Sequence, residues 1–246
     1  MTIISRYAPA FVGLAALVAM IGCAQAPAAD QPKAAETAKA VAAVQAVAAQ
    51  DAVVAPKPQP TTQPIETKPG ASLAMTISEA SFGCIRDMKP VRGFYVSNLL
   101  GNVEDTVKVA SSTTGGVYPV GSVVQLVPTE VMVKREAGYD AKSNDWEFFE
   151  LGVAGKATTI RVRGSTEVVN RFGGNCLTCH AQAQPQYDMI CEQTHGCAPI
   201  PITPVMAKAI QNTDPRCAPM ALPPEQVEAL KALAAFAAAA AAPKAQ

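Results

Sequence analysis

Thr158-Thr159-Ile160-Arg161-Val162-Arg163 alternates polar and apolar side chains. A period of two is typical of a β-strand, whose side chains point alternately to the two faces of a sheet. The pattern puts Ile160 and Val162 on one face and both arginines on the other. We therefore predict an antiparallel sheet with one face packed on a core and the other face wetted by solvent.

Other segments of the same region have strand composition. They are short, rich in β-branched and aromatic residues, and separated by Gly, Pro, Asn or Asp. They are Phe94–Leu100, Val103–Ala110, Val120–Val127, Val131–Val133 and Trp146–Leu151. A helix is expected after Pro223-Pro224-Glu225, where apolar residues recur at helical spacing. Its apolar stripe is Val227, Leu230, Leu233 and Phe236. The predicted fold class is α+β, an antiparallel sheet with short helices.

Cys176-Leu177-Thr178-Cys179-His180 follows the predicted strands. This C-x-x-C-H spacing is typical of haem c attachment: the two thiols add to the haem vinyl groups and the histidine ligates the iron. A disulfide or thioredoxin-like dithiol is the alternative reading. A zinc site would need two more ligands at a related spacing, and the sequence has no such pair. We predict one covalent haem c held by Cys176, Cys179 and His180, in a segment C-terminal to the sheet.

The N-terminus predicts export from the cytoplasm. A short basic region, 1–7, precedes an apolar run, 8–21, that is too short to span a bilayer and is typical of a signal peptide. Met20-Ile21-Gly22-Cys23 resembles the lipobox of bacterial lipoproteins. Residues 1–22 are accordingly predicted to be a lipoprotein signal peptide, with Cys23 the lipidated first residue of the mature chain.

The location follows from the lipidation. Ala24 and Gln25, with no aspartate after Cys23, resemble lipoproteins that are passed to the outer membrane. We predict a periplasm-facing domain anchored in that membrane through its lipid. The alternative is an ordinary signal peptide cleaved after Ala24-Gln25-Ala26, which would leave a soluble periplasmic protein.

Composition divides the remaining chain. Residues 23–71 are rich in Ala and Pro, contain no aromatic residue, and are predicted to be a disordered linker. Residues 72–236 are long enough for one haem c domain with its own core, and the Ala-rich 237–246 is predicted to be a tail. The chain has 20 basic and 20 acidic residues and no Lys/Arg run, so nucleic-acid binding has no electrostatic support.

A family resemblance covers about residues 94–183. Tyr118–Val124, Val131–Lys134, Asp145–Phe149 and the late Cys176–His180 together resemble the cytochrome P-460 and cytochrome c′-beta family. The resemblance implies a β-sheet domain with a C-terminal C-x-x-C-H and a five-coordinate haem. It also implies that strands, and not helices, precede the haem site.

The sequence departs from that family's pattern in two places. Leu126 or Gln125 stands where the hydroxylamine-oxidising members carry a lysine cross-linked to haem, and Lys134 is nearby but off register. An apolar residue there resembles the c′-beta members, which bind small gases such as nitric oxide. The second departure is the segment Cys191–Cys217, which has no counterpart in the pattern.

Four cysteines remain once Cys23 is lipidated and the C-x-x-C-H is occupied. They are Cys84, Cys191, Cys197 and Cys217. An even number in an oxidising compartment predicts disulfides, and four cysteines allow three pairings. From loop closure alone we favour Cys191 with Cys197 and Cys84 with Cys217, and free buried thiols are the alternative.

Two residues are candidates for a sixth iron ligand. His195 lies between Cys191 and Cys197, and Met220 stands in Ala218-Pro219-Met220, before the predicted C-terminal helix. That arrangement around Met220 resembles a class I cytochrome c, whose mostly α fold is the alternative fold class. A methionine or second histidine ligand would suit an electron carrier, and its absence would leave an open site.

The sequence thus predicts a monohaem c-type cytochrome with a redox partner protein or a small diatomic ligand as its partner. Its function is electron transfer or binding of a ligand of the nitric oxide type. An oxidoreductase acting on hydroxylamine or another small nitrogen compound is the alternative, which the missing lysine weakens. We therefore lean away from an enzyme, and no catalytic residue is assigned.

Overall fold

The structure is built on one antiparallel sheet. It is a computed structural model, and it describes residues 75–170 and 173–241. Within them the strands are β1 (Lys89–Val91), β2 (Phe94–Asn98), β3 (Ser122–Val127), β4 (Glu130–Lys134), β5 (Trp146–Ala154) and β6 (Ala157–Gly164). Each strand pairs antiparallel with the next one in the chain, in the order β1-β2-β3-β4-β5-β6. With the helices described below, the fold is α+β, as predicted.

One helix lies between β2 and β3, and three follow β6. They are α1 (Val103–Ala110), α2 (Cys176–His180), α3 (Pro204–Asn212) and α4 (Pro224–Ala241). Single 3₁₀ turns are Glu79–Ser81, Ile85–Asp87, Ala141–Ser143, Pro185–Tyr187 and Gln193–His195. The predicted C-terminal helix is confirmed, although it continues to Ala241, inside the segment 237–246 that was interpreted as a tail. Its stripe is buried at Val227, Leu230 and Leu233, whereas Phe236 is 45% exposed.

The prediction of a strand at Val103–Ala110 is wrong, because this segment is helix α1. Its β-branched residues favour a strand by composition, but its spacing and charge order favour a helix. Thr106 and Ala110 are buried four residues apart, on one helical face. Acidic Glu104 and Asp105 lie in the first turn and Lys108 in the last, which is the favourable order for the helix dipole.

Both faces of the sheet are packed, so the prediction of one solvent-wetted face is also wrong. The motif face, named for its contact with Cys176 and Leu177, is formed by Val96, Val124, Met132, Trp146 and Phe148. The opposite face is formed by Val123, Val131, Val133, Phe149 and Leu151. The residues Met75, Ile77 and Phe82, which precede the sheet in sequence, cover the opposite face. A sheet covered on both sides has nearly continuous apolar strands, as β3 and β4 have.

A β-bulge in β6 changes the faces expected for its side chains. Glu150 is paired with Val162, but the next residue, Leu151, is paired with Ile160, so Arg161 is the extra residue. Ile160 therefore packs on the opposite face and Val162 on the motif face. Ile160 and Val162 therefore do not share a face, because the bulge shifts the alternation of side chains between the two faces by one residue.

The N-terminal predictions lie outside the described residues. They are the signal peptide 1–22, lipidation of Cys23 and the linker 23–71. Among the residues that the structure describes, none of the helices combines the length and apolar character needed to cross a bilayer.

Candidate functional site

Helix α2 is a single turn that carries both motif cysteines and His180. Asn175 caps it: its Oδ1 accepts a hydrogen bond from the backbone N–H of Thr178 at 3.0 Å. The Asn175 Nδ2 donates to the Thr166 carbonyl oxygen at 2.7 Å, and the Cys176 N–H donates to the Val168 carbonyl oxygen at 3.0 Å. The turn is thus fixed to the chain that precedes it, and its start is set by a capping residue next to the motif.

Cys176 and Cys179 are free and half-buried. Burial, together with the neighbouring carboxylate of Glu130, raises the pKa of the Cys176 thiol to about 12. A thioredoxin-like dithiol needs the reverse, a lowered pKa that produces thiolate near neutral pH. The environment of Cys176 therefore favours a neutral thiol at this position.

His180 is oriented by one hydrogen bond and one ring contact. Its Nδ1 lies 2.8 Å from the carbonyl oxygen of Met189, and its ring centroid lies 5.2 Å from that of Phe148. Burial lowers the pKa of His180, so the ring stays neutral at neutral pH. A carbonyl can only accept, so the neutral ring carries its proton on Nδ1 and leaves Nε2 as an unprotonated donor to a metal.

The chain 188–190 presents three successive carbonyl oxygens to three aromatic N–H groups. We call Asp188–Ile190 the carbonyl segment. Its hydrogen bonds are Trp146 Nε1 to Asp188 O at 2.8 Å, His180 Nδ1 to Met189 O at 2.8 Å, and His195 Nδ1 to Ile190 O at 2.7 Å. Both histidines of the chain thus bind the same short segment.

His195 has structural contacts on its edge and on its ring face. Its ring stacks on Tyr187, with centroids 3.7 Å apart and planes 7° from parallel. Its Nε2 lies 3.7 Å from the Glu192 carboxylate, and the residue is buried. Nδ1 of His195 is therefore bound to the carbonyl segment, and its Nε2 faces a carboxylate of its own loop at a distance beyond a hydrogen bond.

Met220 lies elsewhere in the fold. It is 45% exposed, and its sulfur lies 3.1 Å from Nη1 of Arg86. Arg86 is next to Ile85, which packs with Tyr95 and Cys217. Tyr95 points away from the motif face, because its neighbour Val96 belongs to that face and successive strand residues alternate. The structure therefore does not bring Met220 to His180.

The other four cysteines lie in two pairs at disulfide-bonding distance. The sulfur atoms are 1.97 Å apart for Cys84 and Cys217, and 1.88 Å apart for Cys191 and Cys197. These are the two pairs that loop closure favoured. Cys191 Sγ also lies 3.2 Å from the carbonyl oxygen of Cys179, so the short loop closed by the second pair contacts α2 directly.

The residues around the family's lysine position lie on different faces. Leu126 packs against the motif-face cluster that also contacts Cys176, whereas Gln125 is buried and donates to the Pro128 carbonyl oxygen at 3.0 Å. Lys134 is buried, and its Nζ is 2.8 Å from the Asp188 carboxylate. Leu126 and the motif thus pack against the same core cluster, and Lys134 is bound in an ion pair.

Sequence reasoning missed the residues that position His180. Met189 acts through its backbone carbonyl, which any residue type supplies, so no pattern of side chains could have marked it. Asp188 is one of many polar loop residues in the sequence. Only Asn175 had a usable signal, since Asn directly before a short helix is a common N-cap.

Comparison with known proteins gives no match: no family model, no curated protein and no solved structure matches this chain. In the described residues, no group of three or more His, Cys, Asp or Glu side chains is arranged to hold a metal ion. The resemblance to the P-460 and c′-beta family stays a prediction.

Proposed function

We propose that this chain is a monohaem c-type cytochrome facing the periplasm, with its haem on Cys176, Cys179 and His180. We further propose that the sixth iron position is open and takes a small diatomic ligand of the nitric oxide type. The observation that carries the proposal is the 2.8 Å hydrogen bond from His180 Nδ1 to the Met189 carbonyl oxygen. A ligating histidine almost always donates its other ring N–H in this way.

The residues present suit a covalent haem. Both motif sulfurs are free, half-buried and on one capped helical turn beside the ligand histidine. Leu126 and Val162, half-buried apolar side chains, pack against the same core cluster as Cys176. When bound, the cofactor supplies an iron that can change oxidation state or bind a diatomic gas.

The chain supplies one axial ligand for such a haem iron. His180 offers Nε2, and the carbonyl segment holds the ring in the tautomer that frees this atom. The candidates for the other side have contacts elsewhere: His195 is bound to the Ile190 carbonyl and stacked on Tyr187, and Met220 lies against Arg86. These contacts favour ligand binding over six-coordinate electron transfer. The periplasmic location rests on the sequence of residues 1–23 alone.

Haem attachment is tested first, on the full chain expressed with a haem c maturation system. We expect a pyridine haemochrome of c type, with one haem per chain. The double variant Cys176→Ala/Cys179→Ala should lose all covalent haem, whereas Cys191→Ala/Cys197→Ala, the matched change outside the motif, should keep it. A wild-type chain that is matured beside a control cytochrome but carries no covalent haem would contradict the proposal.

The state of the sixth position is tested on the same haem-loaded chain. Ferric and ferrous resonance Raman spectra should show five-coordinate, high-spin iron, and nitric oxide should change the ferrous spectrum. Met220→Ala and His195→Ala should leave the iron five-coordinate and high-spin, because neither side chain contacts His180. Low-spin, six-coordinate iron that becomes high-spin in one of these variants would identify a ligand and replace gas binding with electron transfer.

A further inference from the structure

We infer that the buried ion pair between Lys134 and Asp188 positions His180, by fixing the backbone carbonyl that selects its tautomer. Neither residue touches the imidazole, so both are positioning residues that act through Met189. The consequence for iron rests on the function proposed above. The consequence for the imidazole does not, since it concerns the chain's own atoms.

The ion pair is enclosed. The side chains of Lys134 and Asp188 are 6% and 1% exposed, and Lys134 Nζ is 2.8 Å from Asp188 Oδ1. The Tyr118 N–H donates to Oδ2 of the same carboxylate at 2.8 Å, and the side-chain amide of Asn144 donates to its Oδ1. A carboxylate removed from water needs such a full set of donors. The position of Asp188 in the core is therefore determined by four residues from three parts of the chain, counting Trp146 on its carbonyl.

The backbone at this point needs that anchor. Asp188 and Met189 have φ angles of 49° and 65°, the left-handed region that residues other than glycine rarely adopt. Such a conformation persists where the surrounding contacts determine it. The contacts at Asp188 hold two successive left-handed residues, and these residues aim the Met189 carbonyl at α2. Without the anchor the segment is free to return to ordinary φ values, and the carbonyl then turns away from His180.

The direction of that carbonyl decides which ring nitrogen of His180 is protonated. With the acceptor in place, the proton stays on Nδ1 and Nε2 is left as a Lewis base. With the acceptor removed, either nitrogen of a neutral imidazole can carry the proton. Nothing else among the described contacts of His180 is an acceptor for Nδ1: its other neighbour is the Phe148 ring. The ion pair thus controls an atom that it does not contact.

The test compares two buried carboxylates. Asp188→Asn removes the charge that binds Lys134, and Asp214→Asn removes a carboxylate that is equally buried but binds Arg216 away from α2. The nitrogen-15 chemical shifts of His180 are measured in the folded full chain without haem, at pH 8, where the ring is neutral. We expect a single Nδ1–H tautomer in wild type and in Asp214→Asn. In Asp188→Asn we expect the tautomer ratio to change by about fivefold or more, the factor that corresponds to losing a hydrogen bond worth about 1 kcal/mol.

The same variants carry a readout on the iron. If haem attaches, the ferrous iron–histidine stretching band should shift in Asp188→Asn and stay at the wild-type position in Asp214→Asn. Should Asp188→Asn not fold, Lys134→Gln takes its place, because it removes the other charge of the same pair. The inference is overturned if the folded variant keeps the single Nδ1–H tautomer, or if Asp214→Asn changes it equally. A wild-type chain without haem would refute the proposed function, yet the tautomer ratio would still decide the positioning role.

Discussion

Replacing Cys84 and Cys217 together by alanine should lower the free energy of unfolding by about 5 kcal/mol. The two residues are 133 positions apart, so a bond between them closes nearly the whole described domain into one loop. Closing a loop of that length removes more entropy from the unfolded chain than closing a short one. Their pair also packs with Ile85 and Tyr95, and this contact is lost at the same time. Urea unfolding followed by tryptophan fluorescence measures the change, since Trp146 is the chain's one tryptophan.

The second cysteine pair provides the matched control. Cys191 and Cys197 are only six positions apart, and the same reasoning gives about 2 kcal/mol for their double alanine variant. The order of the two effects is what identifies loop closure as the cause. Equal losses in both variants, or no loss in Cys84→Ala/Cys217→Ala, would mean that the long-range bond is absent or that the unfolded chain is already compact.

The candidate site and the long-range stabilising pairs lie in different parts of the domain. The motif face carries α2, His180 and the half-buried apolar side chains Leu126 and Val162. The Cys84–Cys217 pair and the Asp214–Arg216 ion pair join the segments around 82–85 and 214–217, away from α2. Stability can therefore be altered at these pairs without a direct contact to the candidate site, which is why Asp214→Asn serves as a control for Asp188→Asn.

The fold was predictable where local patterns agree with tertiary packing. The strand composition around Phe94, Val131 and Trp146 predicted strands that the structure contains, and Pro223-Pro224-Glu225 marked the start of the last helix. The strand prediction for Val103–Ala110 was wrong because it gave more weight to the β-branched residues than to the helical spacing of the segment. The prediction that Ile160 and Val162 share one face was wrong because of the bulge at Arg161. A bulge depends on the pairing with the neighbouring strand, which the sequence of one strand does not determine.

The candidate site divides in the same way. Cys176, Cys179 and His180 are adjacent in the chain, so their relation is local and visible as a motif. The Met189 carbonyl, the left-handed backbone at 188–189 and the Lys134–Asp188 pair belong to the tertiary structure. Lys134 was noticed in the sequence only as a lysine off the family's register. Its role as the partner of Asp188, 54 positions away, depends on how β4 meets the segment after the motif.

Replacing Arg216 by methionine should lower the free energy of unfolding by about 3–5 kcal/mol, since it leaves the Asp214 carboxylate buried without its cation. The two side chains are 2% and 0% exposed, with Arg216 Nη2 at 2.9 Å from Asp214 Oδ2. The guanidinium also donates to the carbonyl oxygens of Phe82 at 3.2 Å and Pro128 at 3.1 Å. It also donates to Thr158 Oγ1 at 3.0 Å, so Arg216 joins its own segment to three others, and Met replaces its bulk without any of these bonds.

Two further variants separate the lost charge pairing from the lost hydrogen bonds. Lys231→Met breaks an exposed pair with Glu228 and should cost less than about 1 kcal/mol. Asp214→Asn/Arg216→Met removes both charges, and we expect it to recover part of the stability that Arg216→Met loses, because no unpaired charge stays buried. Chemical unfolding of the three variants measures these differences. If the double variant is no more stable than Arg216→Met, the loss comes from the bonds to Phe82 and Pro128, and Arg216 matters as a hydrogen-bond donor more than as the cation of Asp214.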